Sequence, residues 1–181
     1  MSQVEITDWI NGKFEETDID YKIAGKWILY KNEIEYLPKG VELLYQKLKP
    51  KSVLEFGFGM GWTATEFQKQ GVQRHVILEP NKENYQMALD WKKQYNTNIE
   101  ILNIFSWEFE PKEDFDLIYD DKLPFKGNDN EKTDNWMKEN LKNNQWYTGA
   151  AGPRGSGKSN KLSIDFELNE EKYRQQLRII N

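Results

Sequence analysis

The sequence predicts an α/β protein built on a doubly wound, mostly parallel sheet. Three observations carry that expectation. Short apolar runs, "SVLEF", "HVILE", "IEIL" and "FDLIYD", alternate with stretches of helical spacing; this alternation implies parallel strands, right-handed crossovers and helices on both faces. Three glycines, Gly57, Gly59 and Gly61, follow the first run directly. An acid, Glu79, ends the second run, about 20 residues beyond Gly57, where nucleotide-binding sheets place the carboxylate that meets ribose hydroxyls.

Along the chain, residues 1–24 mix polar and aromatic positions without a sustained period, and read as an arm or lid carrying Trp9, Phe14 and Tyr21. Residues 25–181 read as one domain. From Trp27 to Leu48 the apolar positions Ile34, Leu37, Val41, Leu44 and Leu48 fall at helical spacing, and Pro38 is expected to break the helix in two. After the strand "SVLEF" comes a helix over residues 62–70, with Gly71 as its C-terminal cap. After "HVILE", Asn81 is the N-cap of a helix whose Tyr85, Ala88, Leu89 and Tyr95 share a face. "IEIL" and "FDLIYD" are strands three and four, the latter ending in Asp120 and Asp121. A polar loop, a helix around residues 136–141 and a weaker fifth strand, "QWYTGAA", follow. "SIDFEL" and the amphipathic "NEEKYRQQLRII" close the chain.

Composition narrows the chemistry. At 181 residues, 38% of them hydrophobic, the chain is long enough for one domain with a real core. It has no cysteine, which excludes disulfides and thiolate metal sites. His75 is the only histidine and lies in a strand, so a structural histidine is expected there and no metal site. The net charge of −5 disfavours a duplex nucleic acid partner. The first residues lack the basic and apolar regions of a signal peptide, and no apolar run is long enough to span a bilayer. A soluble cytoplasmic protein is the expectation.

In a doubly wound sheet, ligands bind outside the carboxyl ends of the strands. Glycines there permit positive φ and close approach of a ligand to the backbone. The third glycine of a dinucleotide fingerprint would fall on residue 62, which is Trp62. No cation stands between Lys51 and Lys69, whereas Glu55 and Glu66 make the neighbourhood acidic. A cationic ligand suits such a loop better than a pyrophosphate.

"VLEFGFGMGWTATEF", "HVILEPN" and "FDLIYDD" resemble the successive motifs of class I S-adenosylmethionine-dependent methyltransferases, over roughly residues 20–125. With "FSWEF" added, the match is closest to the guanidinoacetate N-methyltransferase group. The resemblance implies a Rossmann-like methyltransferase fold with S-adenosylmethionine as cofactor. It implies that Gly57, Gly59 and Gly61 pass the methionine part, that Glu79 binds the ribose hydroxyls, and that Ser106 and Trp107 flank the adenine. It matches Glu55 and Asp120 to the two acids that hold a guanidinium group, making them the candidate catalytic residues. Of Asp120 and Asp121, one is expected to be functional and one structural.

This sequence departs from the group in two ways. Asp121 and Lys122 stand where an aromatic follows the Tyr-Asp pair. The chain also ends early, which predicts a sheet shortened at its C-terminal end and a bare fifth strand; homo-oligomerisation is one way to cover such an edge. The expected substrate is a small, cationic amine or guanidino compound. Sulfonium cleavage without an acceptor, or a non-catalytic binding module, are the alternative functions. A second glycine stretch, "GPRGSGKS", satisfies the P-loop pattern but lacks the strand before and the helix after that a P-loop needs. It reads as a mobile basic loop whose Arg154 and Lys158 reach the rim of the site.

Overall fold

The structure is a computed structural model, and it describes residues 6–122, 129–140, 146–149, 152–153, 162–169 and 171–179. Its core is a mixed sheet. Five parallel strands are β4 (Ser52–Phe56), β5 (Arg74–Leu78), β6 (Asn98–Leu102), β7 (Leu117–Asp120) and β8 (Trp146–Gly149). They stand in the order β6-β5-β4-β7-β8, so the strand order reverses at β4, beside the glycine loop. The fold class is the one the alternation predicted.

The C-terminal end is not short of strands. β10 (Leu162–Leu168) and β11 (Glu171–Ile179) form an antiparallel hairpin, and β11 pairs with β8. β9 (Gly152–Pro153), the start of the second glycine stretch, pairs with β11 as well. The expected bare edge on β8 is therefore covered from within the chain, and that argument for self-association falls away. The amphipathic "NEEKYRQQLRII" supplies β11. Asn169, at φ 50, turns the hairpin. The rest of the second glycine stretch, with Arg154 and Lys158, lies outside the described residues.

Three helices cover one face: α2 (Glu33–Leu48), α3 (Trp62–Gln70) and α4 (Lys82–Lys92). Val41, Leu44, Phe67 and Ala88 bury their side chains there against Val53, Tyr119 and Ile77. α5 (Asp129–Asn140) covers the other face, where Trp136 packs on Phe56 and donates its indole N–H to the Phe109 carbonyl at 2.5 Å. Pro38 lies inside α2 without ending it. It removes a single backbone bond, and the buried stripe Leu37–Val41–Leu44 holds the helix through that gap. Helix spacing also does not start at Trp27: residues 26–30 are a strand, and Ile34 is exposed.

The N-terminal segment folds as a small unit over the sheet. It consists of α1 (Ile6–Asn11) and a three-stranded sheet of β1 (Phe14–Glu16), β2 (Asp20–Ile23) and β3 (Lys26–Tyr30). Ala24 and Gly25, both at positive φ, make the two-residue turn between β2 and β3, so the sheet runs past residue 24.

Candidate functional site

The carboxyl ends of β4, β5, β6 and β7 open into one partly open cavity. Gly57 and Gly59 from the loop after β4, Glu79 from the end of β5, and Ser106 and Trp107 from the loop after β6 all line it. Gly57, Gly59 and Gly61 all have positive φ (87°, 53° and 70°), a conformation that side chains rarely tolerate. Gly61 N-caps α3 rather than lining the cavity. A Cβ there would lie 2.5 Å from the Phe58 ring, so glycine is needed for packing as well as for φ.

Glu79 is buried and held by its own loops. Its Oε2 accepts the Phe58 N–H at 3.0 Å and its Oε1 accepts the Asn81 N–H at 2.8 Å. Burial pushes its carboxyl up from the usual range, and the backbone donors pull it partly back. Asn103 fixes the same corner, donating to the Glu79 and Pro80 carbonyls. Beyond Glu79, Asn84 lines the cavity with a buried Oδ1 that has no partner among the described residues. A hydroxyl-bearing ligand would supply one, so the donor and acceptor pattern fits a nucleoside. On the β6 side, Ser106 is buried and exchanges a hydrogen bond with Thr133 at 3.1 Å. The Trp107 ring stacks on Phe105, with centroids 4.5 Å apart.

The N-terminal unit supplies wall residues, of which the sequence had pointed only to Trp9, as part of an arm or lid. Trp9, Ile28 and Leu29 line the cavity, and Leu29 packs onto Gly59, 2.9 Å from where a Cβ would stand. Asn81 ties this unit down. Its Oδ1 caps α4 through the Asn84 N–H, as its sequence position predicted, while its Nδ2 donates to the Trp9 and Gly12 carbonyls at 2.6 and 2.9 Å. Glu83 adds a bond from the Phe14 N–H. Nothing in a local pattern announces this second use of Asn81.

The acids lie on two sides of the sheet. Glu55 is fully buried on the helix-covered face, where it accepts the Thr63 hydroxyl at 2.5 Å. His75 Nε2 lies 2.9 Å from its Oε2, although the approach angle falls short of a straight hydrogen bond. The Thr97 hydroxyl donates to Gln68 Oε1, which turns the Gln68 side-chain Nε2 toward His75 Nδ1. This assignment puts the ring proton on Nε2, facing Glu55. His75 is thus buried in its strand as expected, but only its Nδ1 is satisfied; its Nε2 faces Glu55 without a hydrogen bond. Glu55 does not line the cavity; strand alternation sends it to the α3 side, and Phe56 to the other.

At the end of β7, Asp120 is braced by Lys122 and Tyr147 on the α5 side, while Asp121 and Lys122 both line the cavity. Burial, then the negative charges of Glu55, Glu33 and Asp120, hold the Asp121 carboxyl well above the usual carboxylate range. Glu33, at the start of α2, is itself pushed up by burial and is bonded to Tyr36. It does not line the cavity, but its charge acts on Asp121, and the strand-end rule does not reach it because it comes from a helix start. Among the described residues, no group of three or more metal-ligating side chains is present, and no helix is long and apolar enough to cross a membrane.

The sequence model of the guanidinoacetate N-methyltransferase family matches residues 5–146, most of the chain. The chain belongs to that family. Its fold is also that of solved methyltransferases. The N-methyltransferase NodS from Bradyrhizobium japonicum is 14% identical, with 84% of this chain and 100% of that one covered at a TM-score of 0.58. A methyltransferase from Podospora anserina, solved with S-adenosylhomocysteine, is 13% identical, with 77% and 78% covered at a TM-score of 0.52. The glycopeptide N-methyltransferase MtfA, solved with S-adenosylmethionine, is 15% identical, with 80% and 66% covered at a TM-score of 0.54. At these identities the likeness lies in the fold.

Proposed function

We infer that this protein is an S-adenosylmethionine-dependent methyltransferase acting on a small amine or guanidino compound. One observation carries the reading. A single cavity at the point of strand reversal brings together the Gly57 and Gly59 backbone, the Glu79 carboxylate and the Trp107 ring, the three kinds of contact that a sulfonium nucleoside calls for. Family membership supports it. When bound, the cofactor supplies an electrophilic methyl group on a positively charged sulfur.

The residues of the chain divide the remaining work. Each Glu79 oxygen carries one backbone donor and keeps acceptor capacity for a ribose hydroxyl. Ser106 and Trp107 offer a polar atom and an aromatic face for adenine. The positive-φ turn at Gly57 and Gly59 lets a ligand approach the backbone closely, while Gly61 turns the chain into α3. Trp9 and Leu29 exclude water above it. At the other end, Asp121 lines the cavity, and the negative charges of Glu55 and Glu33 acting on it favour a cationic acceptor, in keeping with the net charge of −5. Glu55 acts from behind Asp121, through its charge rather than by touching the substrate.

Two measurements test this reading. Calorimetry is expected to show saturable binding of S-adenosylmethionine and of S-adenosylhomocysteine, and a chain that binds neither refutes the assignment. Mass spectrometry after incubation with S-adenosylmethionine and a panel of small amines and guanidino compounds is expected to show one methyl group added to an acceptor. Consumption of the cofactor without any methylated acceptor would favour sulfonium cleavage instead.

A further inference from the structure

The two neighbouring acids at the end of β7 are treated oppositely by the rest of the chain. Asp120 is already engaged. Its Oδ2 accepts the Tyr147 hydroxyl at 2.5 Å and the Lys122 ammonium, and its Oδ1 accepts the Lys122 backbone N–H at 3.2 Å. The Lys122 ammonium also lies 5.7 Å from the centroid of the Phe56 ring, which fixes it from a second side. A substrate cation seeking Asp120 would have to displace a cation tethered two residues away, which competes at a high effective concentration.

Asp121 is in the reverse position. Its backbone N–H is anchored to the Phe56 carbonyl at 3.1 Å. Its side chain lines the cavity, yet among the described residues no group donates to its carboxyl. The positive φ of Gly57 lets the strand ends close up, so that the Asp121 carbonyl passes 3.3 Å from where a Gly57 Cβ would stand. The Asp121 backbone is therefore set beside the glycine turn, and both residues line the same cavity. Negative charges from Glu33, Glu55 and Asp120 surround it, an arrangement that a bound cation would relieve.

We propose that Asp121, not Asp120, holds the acceptor nitrogen, and that Lys122 converts Asp120 into a structural brace. The proposal rests on the methyltransferase reading above. It assigns the acceptor as a protonated nitrogen compound whose N–H proton passes to an Asp121 oxygen. The N–H bond breaks, an O–H bond forms, and the nitrogen keeps the electron pair it needs for attack; the proton then leaves to water. The raised proton affinity of this carboxyl brings it closer to that of an amine, which makes the transfer less uphill.

The test avoids the unidentified acceptor. Sinefungin carries an ammonium group where S-adenosylmethionine carries its methylated sulfur, whereas S-adenosylhomocysteine has neither charge nor methyl there. Both are titrated calorimetrically into the full chain, Asp121→Asn and Asp120→Asn. The wild-type chain is expected to prefer sinefungin by about 10-fold or more, the size of one charged hydrogen bond. Asp121→Asn is expected to lose that preference while its affinity for S-adenosylhomocysteine stays within about threefold, and Asp120→Asn is expected to keep it. Should Asp120→Asn not fold, Tyr147→Phe, which removes one donor to the same carboxylate, takes its place with the same expectation. The proposal is overturned if the preference survives in Asp121→Asn, if it is lost in Asp120→Asn alone, or if the wild-type chain shows none. A chain that binds S-adenosylhomocysteine without such a preference sinks only this assignment, whereas a chain that does not bind it at all sinks the methyltransferase reading as well.

Discussion

At the β5 end of the cavity, Glu79 is buried but already meets two backbone N–H donors. At the β7 end, Asp121 faces three other acids, and no described side chain donates to it. The first arrangement is preorganised. Its charge is held in place whether or not a ligand is bound, so little has to move when a hydroxylated ligand arrives. The second is unbalanced, and positive charge from a ligand would settle it. On the proposed function, the contrast separates a half of the cavity that would hold the cofactor from a half that would draw in a cation.

The largest effect is expected from breaking the preorganised half. Glu79→Ala removes two charge-assisted contacts and leaves the Phe58 and Asn81 N–H groups without their partner. Affinity for S-adenosylhomocysteine is expected to fall on the order of 100-fold or more by calorimetry. Next is the glycine turn. Gly61→Ala forces a side chain into positive φ and against the Phe58 ring, and chemical denaturation is expected to show a loss of about 2–3 kcal/mol.

The unbalanced half is tested through pH. A free aspartate titrates near pH 3.9, and in the folded chain Asp121 is held well above its usual value. Between these two values the folded state binds more protons than the unfolded one. The stability that this group contributes is therefore complete below the unfolded pKa and is lost as pH rises through the raised one. Asp121→Asn is expected to abolish that decline and to melt above the wild-type chain at neutral pH. The gain is at most about 1.4 kcal/mol for each pH unit of the window, or roughly 2–4 °C per kcal/mol. Equal slopes of melting temperature against pH for the two chains would contradict it.

The smallest effect on binding is expected at Glu55. Glu55→Gln is expected to change affinity for S-adenosylhomocysteine by less than about threefold, while lowering stability by about 1–3 kcal/mol through its bond to Thr63. It should also lower the proton affinity of Asp121, since it removes a neighbouring negative charge. A large loss of cofactor affinity would return Glu55 to the cavity.

The parallel sheet was legible because strands alternating with helices announce themselves, and Glu79 and the glycines follow from the rule for strand ends. Glu55 was misplaced for a simple reason: adjacent strand residues face opposite sides, and motif order alone does not say which. Glu33 and Asn81 act across the chain, from a helix start and a helix cap, through contacts that no local spacing encodes. The C-terminal hairpin was hidden because "NEEKYRQQLRII" has apolar positions compatible with either period. The wall formed by Trp9, Ile28 and Leu29 depends on how a three-stranded sheet docks, and short strands leave little periodic signal.

If the cavity at the strand ends is the cofactor site and Glu79 anchors it, calorimetric titration of S-adenosylhomocysteine into the wild-type chain and into Glu79→Ala distinguishes the two proteins. One saturable site is expected in the wild-type chain, and Glu79→Ala is expected all but to remove it. Binding of equal strength in both proteins, or in neither, would contradict it.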